Sequence, residues 1–543
     1  MSEIKDKIFS NLYEMSVAVA YFSSLFMLIF WGLEFYMDGF GALLLLLASG
    51  VFYFCGSNLL RAAFVFLVGL SVLFQNHLVI NYSYPFAKIG REILVIASET
   101  TTLEFQTYLQ IISGKEYTDF ICLLFVCAFI FKFSSKKESQ KLPILLGVFV
   151  LLFAVWNDLG APVYAFRKEM SENARILENY RNFRFDAKDV SGEEYSTRII
   201  VIGETHRHDY FEEYGYTKEY CPTLFKARQE DNLYYFTDVT SGFYYTTGSV
   251  PIILTRKPVE CETRFYEEKS IISAFKEAGY TAWTISYTKK TQPEDDAMNL
   301  IFLEADEYIN HYEVSGTVDD IGMLPIIKDI LEDKTKKKKL IVIKMIGAHY
   351  LYEERYPKEF EIHKPSYKSI YNGGENAENV EMLKNSYKNA VTYSAVFLDK
   401  LAEMIYKREE PVLMSFMSDH GSCLYEDGSS KFVGRAKGAY HIEFFLTGND
   451  AYWNTVDFWA KRRLLSRRDI PLTQEYFFET YMSLAKVEYF DPKPNYDISG
   501  FNFTAPEKRL VWTTTGLEPY DNLMPEQPVK KVAEDQEQDN SNE

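Results

Sequence analysis

The sequence has 543 residues, of which 47% are apolar and 16% are aromatic, and this composition excludes an intrinsically disordered chain. Its 58 basic and 76 acidic residues give a formal charge of −18. Such a balance argues against a nucleic-acid partner, because phosphate backbones bind basic surfaces. Six cysteines are too few for a disulfide-built scaffold.

Residues 1–156 carry nearly all the long apolar runs and predict a transmembrane domain with five helices. The runs are 17–37, 41–55, 62–80, 120–133 and 142–156. Some need flanking residues to reach the roughly 20 that cross a bilayer, and a buried core helix would explain any one of them. Five in succession favour membrane spans. Basic residues cluster in alternate loops and place the N-terminus in the cytoplasm and everything after Trp156 in a periplasm-like compartment.

Two flanking segments differ in composition from the part between them. Residues 157–196 form a charged, helix-prone connector that could lie on an anionic membrane face or form a solvated linker helix. Residues 523–543 are polar and acidic and predict a disordered tail. Of the outer cysteines, at most two can pair in an oxidising compartment, which leaves a thiol over: Cys221, Cys261 and Cys423.

Residues 197–522 predict a catalytic α/β domain. Three β-prone apolar runs, 198–204, 340–349 and 412–421, end in polar residues, and helical patterns such as the one at 391–405 lie between them. Strands that alternate with helices indicate a central, mainly parallel sheet. Because ligands of such sheets bind beyond the carboxyl ends of the strands, the polar residues there are candidate site residues.

The candidate strand ends carry Glu204, His349, Asp419 and His420. Carboxylates and histidines of this kind are ligands for zinc or manganese. Each has a structural explanation as well, since a buried glutamate could cap a helix and His420 could be a core histidine. Taken together they favour a metal site, and a bend at Gly421 would let the adjacent acid and histidine reach one ion.

A hydroxyl-rich segment, 237–251, supplies candidate nucleophiles and ends in a Gly–Ser–Val–Pro turn. A hydroxyl at a helix N-terminus gains from the helix dipole, and a metal ion lowers its pKa further. The alternative is that Thr240, Ser241, Thr246 and Ser249 are helix caps. Residue chemistry alone leaves the choice among these hydroxyls open.

These motifs resemble the bacterial phosphoethanolamine transferases of the alkaline-phosphatase/sulfatase superfamily, a family that includes the lipid A-modifying enzymes of polymyxin resistance. The similar segments are 201–209, 240–251, 347–357, 385–389 and 418–421. Five N-terminal spans before a periplasmic catalytic domain are also the family's layout. The resemblance thus implies a multi-pass protein of the bacterial inner membrane.

The resemblance also implies roles for individual residues. One tight zinc ion would be held by Glu204, Thr246, Asp419 and His420, with a second, weaker metal left open. Thr246 would be the phosphorylated nucleophile, with Thr247 as runner-up. Two further positions would bind substrate: His349 at the phosphoryl group or leaving oxygen, and Glu99, within 97–101, near the lipid headgroup.

The sequence departs from the family pattern at two places. The region that follows the Asp–His–Gly motif, 430–435, lacks the family's histidine, and His441 could replace it, although it looks more like the start of the next strand. The cysteines that commonly flank the nucleophile loop are replaced by Gly242 and Ile252. The second metal and the acceptor contacts are therefore the least well defined parts of the resemblance.

The implied reaction transfers phosphoethanolamine from phosphatidylethanolamine to lipid A or another envelope glycolipid through a phosphothreonine. A phosphoglycerol transferase would share the same ligand set and is the enzymatic alternative. The non-enzymatic alternative is a membrane-anchored homologue without activity. A sulfatase activity is disfavoured, because the sequence contains neither Cys-x-Pro-x-Arg nor Ser-x-Pro-x-Arg.

Overall fold

The computed structural model describes residues 175–525, with gaps at 262, 264, 289–296, 317–318, 368–378 and 427–435, and a few helical residues near 59–66 and 120–128. The chain separates into two compact units, Met1–Glu172 and Asn173–Glu543. The predicted spans lie almost entirely outside the described residues, as do Glu99 and most of the predicted tail. Among the helices that are described, none is at once long and apolar enough to cross a bilayer.

Twelve strands are described in the outer unit: β1 (Lys188–Asp189), β2 (Ser196–Gly203), β3 (Leu233–Thr240), β4 (Thr281–Ser286), β5 (Glu307–Asn310), β6 (Lys338–Lys344), β7 (Val412–Ser418), β8 (His441–Gly448), β9 (Leu472–Thr473), β10 (Val487–Glu488), β11 (Leu510–Thr513) and β12 (Gly516–Pro519). Eight of them form a central sheet in the order β5-β4-β6-β2-β7-β8-β3-β9. All neighbours are parallel except that β8 runs antiparallel to β7 and β3. The sheet is therefore mixed, and the predicted predominance of parallel strands is confirmed.

The α-helices of the same unit are α1 (His208–Tyr214), α2 (Pro222–Gln229), α3 (Thr246–Leu254), α4 (Ile271–Glu277), α5 (Ala297–Phe302), α6 (His311–Ser315), α7 (Leu324–Glu332), α8 (Val380–Tyr406), α9 (Asp450–Trp453), α10 (Phe458–Ser466) and α11 (Tyr476–Ala485). The periodic apolar residues at 391–405 lie in α8 and are buried, which confirms the helical prediction there. Short 3₁₀ turns follow several strands and loops.

Helices cover both faces of the sheet, and the alternation of β2 divides the core between them. Ile199 and Val201 pack into the apolar cluster that includes the buried face of α8. Ile200 and Ile202 point the other way, into the cluster that includes α11. Because each buried aliphatic side chain contributes roughly 1.5–3 kcal/mol, these two layers hold the strand ends in fixed positions.

The described end of the connector packs on the outer unit. Residues 175–182 are helical, and Ile176 and Leu177 are buried against Phe265 and Ala297. The Tyr180 hydroxyl donates a hydrogen bond to the Glu304 carboxylate. This part of the predicted connector therefore belongs to the packed domain.

The register of the central strands brings three polar residues to one edge of the sheet. Gly203 of β2 pairs with Ser418 of β7, so that Glu204 and Asp419 follow neighbouring strands. On the other side of β2, Ile202 pairs with Lys344, the last residue of β6. The prediction that this strand delivers His349 is wrong. The chain leaves the sheet at Lys344 and turns at Gly347, whose φ is +48°, before it reaches the histidine.

Candidate metal centre and nucleophile loop

Glu204, Asp419 and His420 form the one group among the described residues whose ligand atoms could hold a metal ion, since these atoms lie within 4.8 Å of one another. Both carboxylates are almost fully buried, with relative exposures of 1% and 0%. Buried carboxylates in contact are costly unless positive charge compensates them. The predicted ligand residues are thus together, in a setting that favours a cation.

Thr205 fixes the two carboxylates relative to each other. Its backbone N–H donates to Asp419 Oδ1 at 3.0 Å, and its hydroxyl donates to Glu204 Oε1 at 2.7 Å. Its φ of +65° is in the left-handed region, which a β-branched residue rarely adopts. A hydrogen bond of 2.6 Å from the Tyr387 hydroxyl to its carbonyl helps to hold this conformation. Backbone strain of this kind is typical of functional sites.

His420 presents one ring nitrogen to the carboxylates. Its Nδ1 lies 2.7 Å from the carbonyl oxygen of Gly421 and donates to it, so that Nε2 lies 3.4 Å from Glu204 Oε1 and 3.8 Å from Asp419 Oδ2. Burial lowers the pKa of His420, but the negative charges of Asp419 and Glu204 outweigh burial and raise the pKa to about 9. Without a metal, the imidazole is therefore protonated at neutral pH.

Gly421 is required by a close approach of two backbone segments. A Cβ at this position would lie 2.0 Å from the carbonyl oxygen of Gly438. The backbone N–H of Gly421 donates to the Ala439 carbonyl at 2.9 Å. Tight packing against the loop that precedes β8 therefore explains the glycine after the acid–histidine pair.

Lys344 is the main member of the site that the sequence analysis did not include. Its Nζ lies 2.6 Å from Glu204 Oε2 and 3.2 Å from Asp419 Oδ2, and its side chain is fully buried. Burial lowers the pKa of Lys344, but the charges of Asp419 and Glu204 prevail and raise it above its usual range. Its position at the end of a strand rich in β-branched residues could have signalled a strand end, but lysine is read as a surface residue by default.

The same charges shift the carboxylate pKa values in opposite directions. Burial raises the pKa of Glu204, but Lys344 and His420 overcome this and hold the pKa well below its usual range. The pKa of Asp419 is raised by burial and by the negative charge of Glu204. The pair therefore shares one strongly ionised carboxylate and one that is harder to ionise until another cation is present.

His206 is a neutral support behind Glu204. Burial and the charge of Lys344 lower its pKa to about 3. As an uncharged ring it accepts a hydrogen bond at Nδ1 from the Glu204 backbone N–H, at 3.2 Å. Phe211 and Phe416 pack edge-on against the ring. This histidine therefore positions the start of the loop and does not point at the ligands.

Thr246 is the first residue of α3, and its hydroxyl reaches the candidate ligands. Thr246 Oγ1 donates to Glu204 Oε2 at 3.1 Å and lies 3.5 Å from His420 Nε2. Within the part of the chain that the structure describes, Thr247 makes no hydrogen bond to these groups. The dipole of α3 points its positive end at this hydroxyl.

The other hydroxyls of the segment hold the loop together. Ser241 Oγ and Ser249 Oγ both donate to the carbonyl of Phe243, at 2.8 and 3.0 Å, and Thr240 Oγ1 donates to the Leu472 carbonyl at 3.3 Å. The alternative in which hydroxyls cap the helix is wrong, because the N-cap is Tyr245 and no side chain caps it. The predicted turn at 248–251 is also wrong, since α3 continues through Pro251.

Gln474 joins the nucleophile loop to the ligand loop, a role that the sequence patterns do not indicate. Its Oε1 accepts from the Gly242 backbone N–H at 3.2 Å. Its Nε2 donates to the carbonyls of Ser418 and Asp419, at 3.1 and 2.5 Å. A single amide after a two-residue strand gives no sequence signal, because its partners are distant along the chain.

The remaining predicted residues fall in different places. His349 is half-buried in the loop after β6, and its positive form contributes to the lowered pKa of Glu204. Asp320 anchors that loop by accepting from the backbone N–H groups of Ile346 and Gly347, at 2.8 and 2.9 Å. Glu99 lies outside the described residues.

His441 begins β8, as the sequence suggested. Its Nε2 lies 2.9 Å from the Thr237 carbonyl, and its ring lies 5.0 Å from that of His208. The region 430–435, where the family histidine would be expected, lies outside the described residues. His441 therefore belongs to a second layer of side chains and not to the group of candidate ligands.

The positions where the family carries cysteines are occupied by apolar packing. A Cβ on Gly242 would lie 2.6 Å from Ile252 Cδ1, so the two positions are adjacent. Among the described residues, Cys221, Cys261 and Cys423 form no disulfide bond. Hydrophobic packing against Ile252 therefore fills the space beside Gly242 in this part of the loop.

The residues present fit a bound divalent metal ion. The buried Asp419 Oδ2 accepts no hydrogen bond from the described residues, although Lys344 lies nearby. Two carboxylates, one imidazole nitrogen and one hydroxyl within a few ångströms form a mixed oxygen and nitrogen donor set, which suits zinc. A buried acceptor without a donor is rare, and a cation would satisfy it.

The fold and the site define an alkaline-phosphatase-like α/β domain. A family model described as Sulfatase matches residues 196–487, more than half of the chain. The chain therefore belongs to the sulfatase family.

Several of the similar proteins are named as phosphoethanolamine transferases. The phosphoethanolamine transferase EptC of Escherichia coli O18:K1:H7 is 25% identical over 324 residues, which cover 56% of this chain and 54% of that protein. The chain thus spans about half the length of the curated relatives that it matches.

Two solved structures share the fold. The C-terminal periplasmic domain of E. coli EptC, in a complex with Zn, has a TM-score of 0.51 and 23% identity, and covers 63% of this chain and 97% of its own. The integral membrane protein lipooligosaccharide phosphoethanolamine transferase A from Neisseria meningitidis has a TM-score of 0.59 and 17% identity, and covers 89% of this chain and 98% of its own.

Proposed function

We propose that this protein is a zinc-dependent transferase that moves phosphoethanolamine from phosphatidylethanolamine to an envelope glycolipid. One observation carries the proposal. The Thr246 hydroxyl at the N-terminus of α3 lies 3.1 Å from Glu204 Oε2 and 3.5 Å from His420 Nε2, within the group of candidate ligands. A nucleophile, its ligands and a helix dipole therefore converge on one point.

In the first step, the phosphoethanolamine group moves to Thr246, and several residues contribute to this transfer. When bound, a zinc ion would lower the pKa of the Thr246 hydroxyl and neutralise charge on the phosphoryl oxygens. Glu204 already accepts the hydroxyl's hydrogen bond and orients its oxygen. The threonine oxygen forms a bond to phosphorus, the bond from phosphorus to the diacylglycerol oxygen breaks, and diacylglycerol leaves after it takes up a proton. We assign His349 to contact with the phosphoryl group or the leaving oxygen.

The second step reverses the first with a different alcohol. A hydroxyl or phosphate oxygen of the acceptor attacks the phosphothreonine, and the Thr246 oxygen leaves and regains a proton. The relatives named above support this substrate class, because their names specify phosphoethanolamine transfer and, for the Neisseria protein, a lipooligosaccharide acceptor. A membrane location of both substrates agrees with the predicted N-terminal spans.

Purified full-length protein in mixed micelles tests the proposal. With phosphatidylethanolamine labelled in its headgroup and a lipid A acceptor, the wild type should transfer label and release unlabelled diacylglycerol. Asp419→Ala, which removes a ligand, should lose both zinc and transfer. Transfer of a phosphoglycerol headgroup from phosphatidylglycerol, with none from phosphatidylethanolamine, would replace the proposal with the phosphoglycerol transferase alternative.

A further inference from the structure

Lys344 is a buried, charged side chain at the candidate centre to which the proposed chemistry gives no role. Its side chain is fully buried at the end of β6, 2.6 Å from Glu204 Oε2 and 3.2 Å from Asp419 Oδ2. Lysine is almost never buried without a partner, because desolvation of an ammonium is costly. Its place between two predicted ligands therefore needs a reason.

The hydrogen-bond partners of Lys344 require the charged form. Its Nζ donates to the Glu204 carboxylate and to the carbonyl oxygens of Gly203 and Met345, at 3.0 and 3.3 Å. All three partners are acceptors only. An ammonium has three protons to satisfy them, whereas a neutral amine has two.

Lys344 and the nucleophile share the same carboxylate oxygen. Glu204 Oε2 accepts from both Lys344 Nζ and Thr246 Oγ1, at 2.6 and 3.1 Å. The imidazole of His420 faces the other oxygen of Glu204, at 3.4 Å. The ammonium thus touches both candidate carboxylates and reaches the nucleophile only through one of them.

We propose that Lys344 is a built-in counter-cation that takes the place of a second metal ion, so that the centre works with one. The proposal rests on the proposed metal centre. Without metal, the ammonium compensates one of the two buried carboxylates. With one divalent ion also bound, the positive charges of the ion and of Lys344 exceed the negative charges of the two carboxylates by one. A deprotonated Thr246 would balance this excess. A second divalent ion would meet the ammonium at the same oxygens.

This role predicts opposite effects on metal binding and on transfer. The ammonium repels an incoming cation and occupies carboxylate lone pairs, so its removal should tighten zinc binding. Its removal should also leave the deprotonated nucleophile without its balancing charge, so transfer should slow. Lys344 acts through Glu204 and Asp419 and is therefore a positioning residue. A purely structural role would weaken both properties together.

The test compares zinc affinity in full-length variants, measured by competition with a chelating dye. Lys344→Met removes the charge at similar length, and Lys344→Gln removes it but keeps a donor. Both should bind zinc about tenfold more tightly or better, and both should transfer about tenfold more slowly or worse. Unchanged or weaker zinc binding in both variants would overturn the counter-cation role.

Lys339→Met is the matched control. Lys339 is a buried lysine of the same strand, and its Nζ donates to the Leu331 carbonyl at 2.8 Å, away from the candidate ligands. The zinc affinity of the Lys339→Met variant should equal that of the wild type. A gain in zinc affinity in Lys339→Met as large as in Lys344→Met would also overturn the proposal, because it would trace the effect to general loosening of the sheet.

Thermal melting supplies a readout that does not need a stable metal-free variant. If Lys344→Met is purified with zinc, its melting temperature should rise more steeply with added zinc than that of the wild type. A shallower rise would contradict the proposal. A wild type that binds no zinc, beside a Lys344→Met variant that does, would refute the proposed function but support the counter-cation role.

Discussion

The affinity of the proposed centre for zinc should depend on pH through His420. A metal ligand must be neutral, whereas the neighbouring carboxylates raise the pKa of His420 to about 9 in the metal-free protein. Below that pH, zinc must displace one proton, so each pH unit lowers the apparent affinity about tenfold, or about 1.4 kcal/mol. Between pH 9 and pH 7 we therefore expect a loss of about 100-fold in affinity.

The stability of the metal-free protein should follow the opposite trend. The pKa of His420 is about 9 in the folded protein, against an ordinary value of 6.5. The charged imidazole therefore stabilises the fold by about 3 kcal/mol below pH 6.5, and this contribution is lost as the pH rises through 9. Raising the pH should therefore lower the free energy of unfolding of the metal-free protein and raise the affinity for zinc over the same interval.

Competition with a chelating dye between pH 6 and pH 9.5 measures the first trend, and thermal melting after zinc removal measures the second. The control is His363→Gln, because burial and the charge of Lys388 lower the pKa of His363 to about 4 and keep it neutral throughout. Both trends should persist in that variant. A zinc affinity that is flat from pH 7 to pH 9 would refute the reasoning about His420.

Two further predictions test the surroundings of the site and the membrane part. Gln474→Ala should leave Gly242 N–H and the Ser418 and Asp419 carbonyls without their buried partner. It should therefore lower the free energy of unfolding by about 2–4 kcal/mol in denaturant, and slow transfer more than it weakens zinc binding. A loss of stability no larger than that of the exposed Gln229→Ala would contradict this. A reporter fused after Lys137 should be cytoplasmic and one fused after Asn522 periplasmic, and finding both on one side would refute the topology.

Strand ends were predictable from sequence because apolar runs and the polar residue that follows them are local signals. Glu204 and Asp419 follow strand ends as predicted, and the register of Gly203 with Ser418 makes these two ends neighbours. His349 was misplaced, because the run of apolar residues continues beyond the end of β6 at Lys344. Hydropathy does not mark the point where a chain leaves a sheet.

Residues that act through distant partners were not predictable. Lys344 is read as a surface residue until its two carboxylate partners are known. One lies 140 residues before it, and the other directly follows a later strand, β7. Gln474 bridges two loops that are far apart in the sequence. The alternative in which hydroxyls cap α3 fails for a related reason. The preference for hydroxyl caps is statistical, and here Ser241 and Ser249 bind the loop carbonyl of Phe243.

The central claim is that Thr246 carries the phosphoethanolamine group, and peptide mass analysis after incubation with phosphatidylethanolamine tests it most directly. The wild type without acceptor should show a phosphoethanolamine adduct on the peptide that spans Phe236 to Arg256, localised by fragmentation to Thr246. Thr247→Ala should keep the adduct, and Thr246→Ala should lose it while it retains the fold and most of its zinc. An adduct that persists in Thr246→Ala but disappears in Thr247→Ala would contradict the assignment.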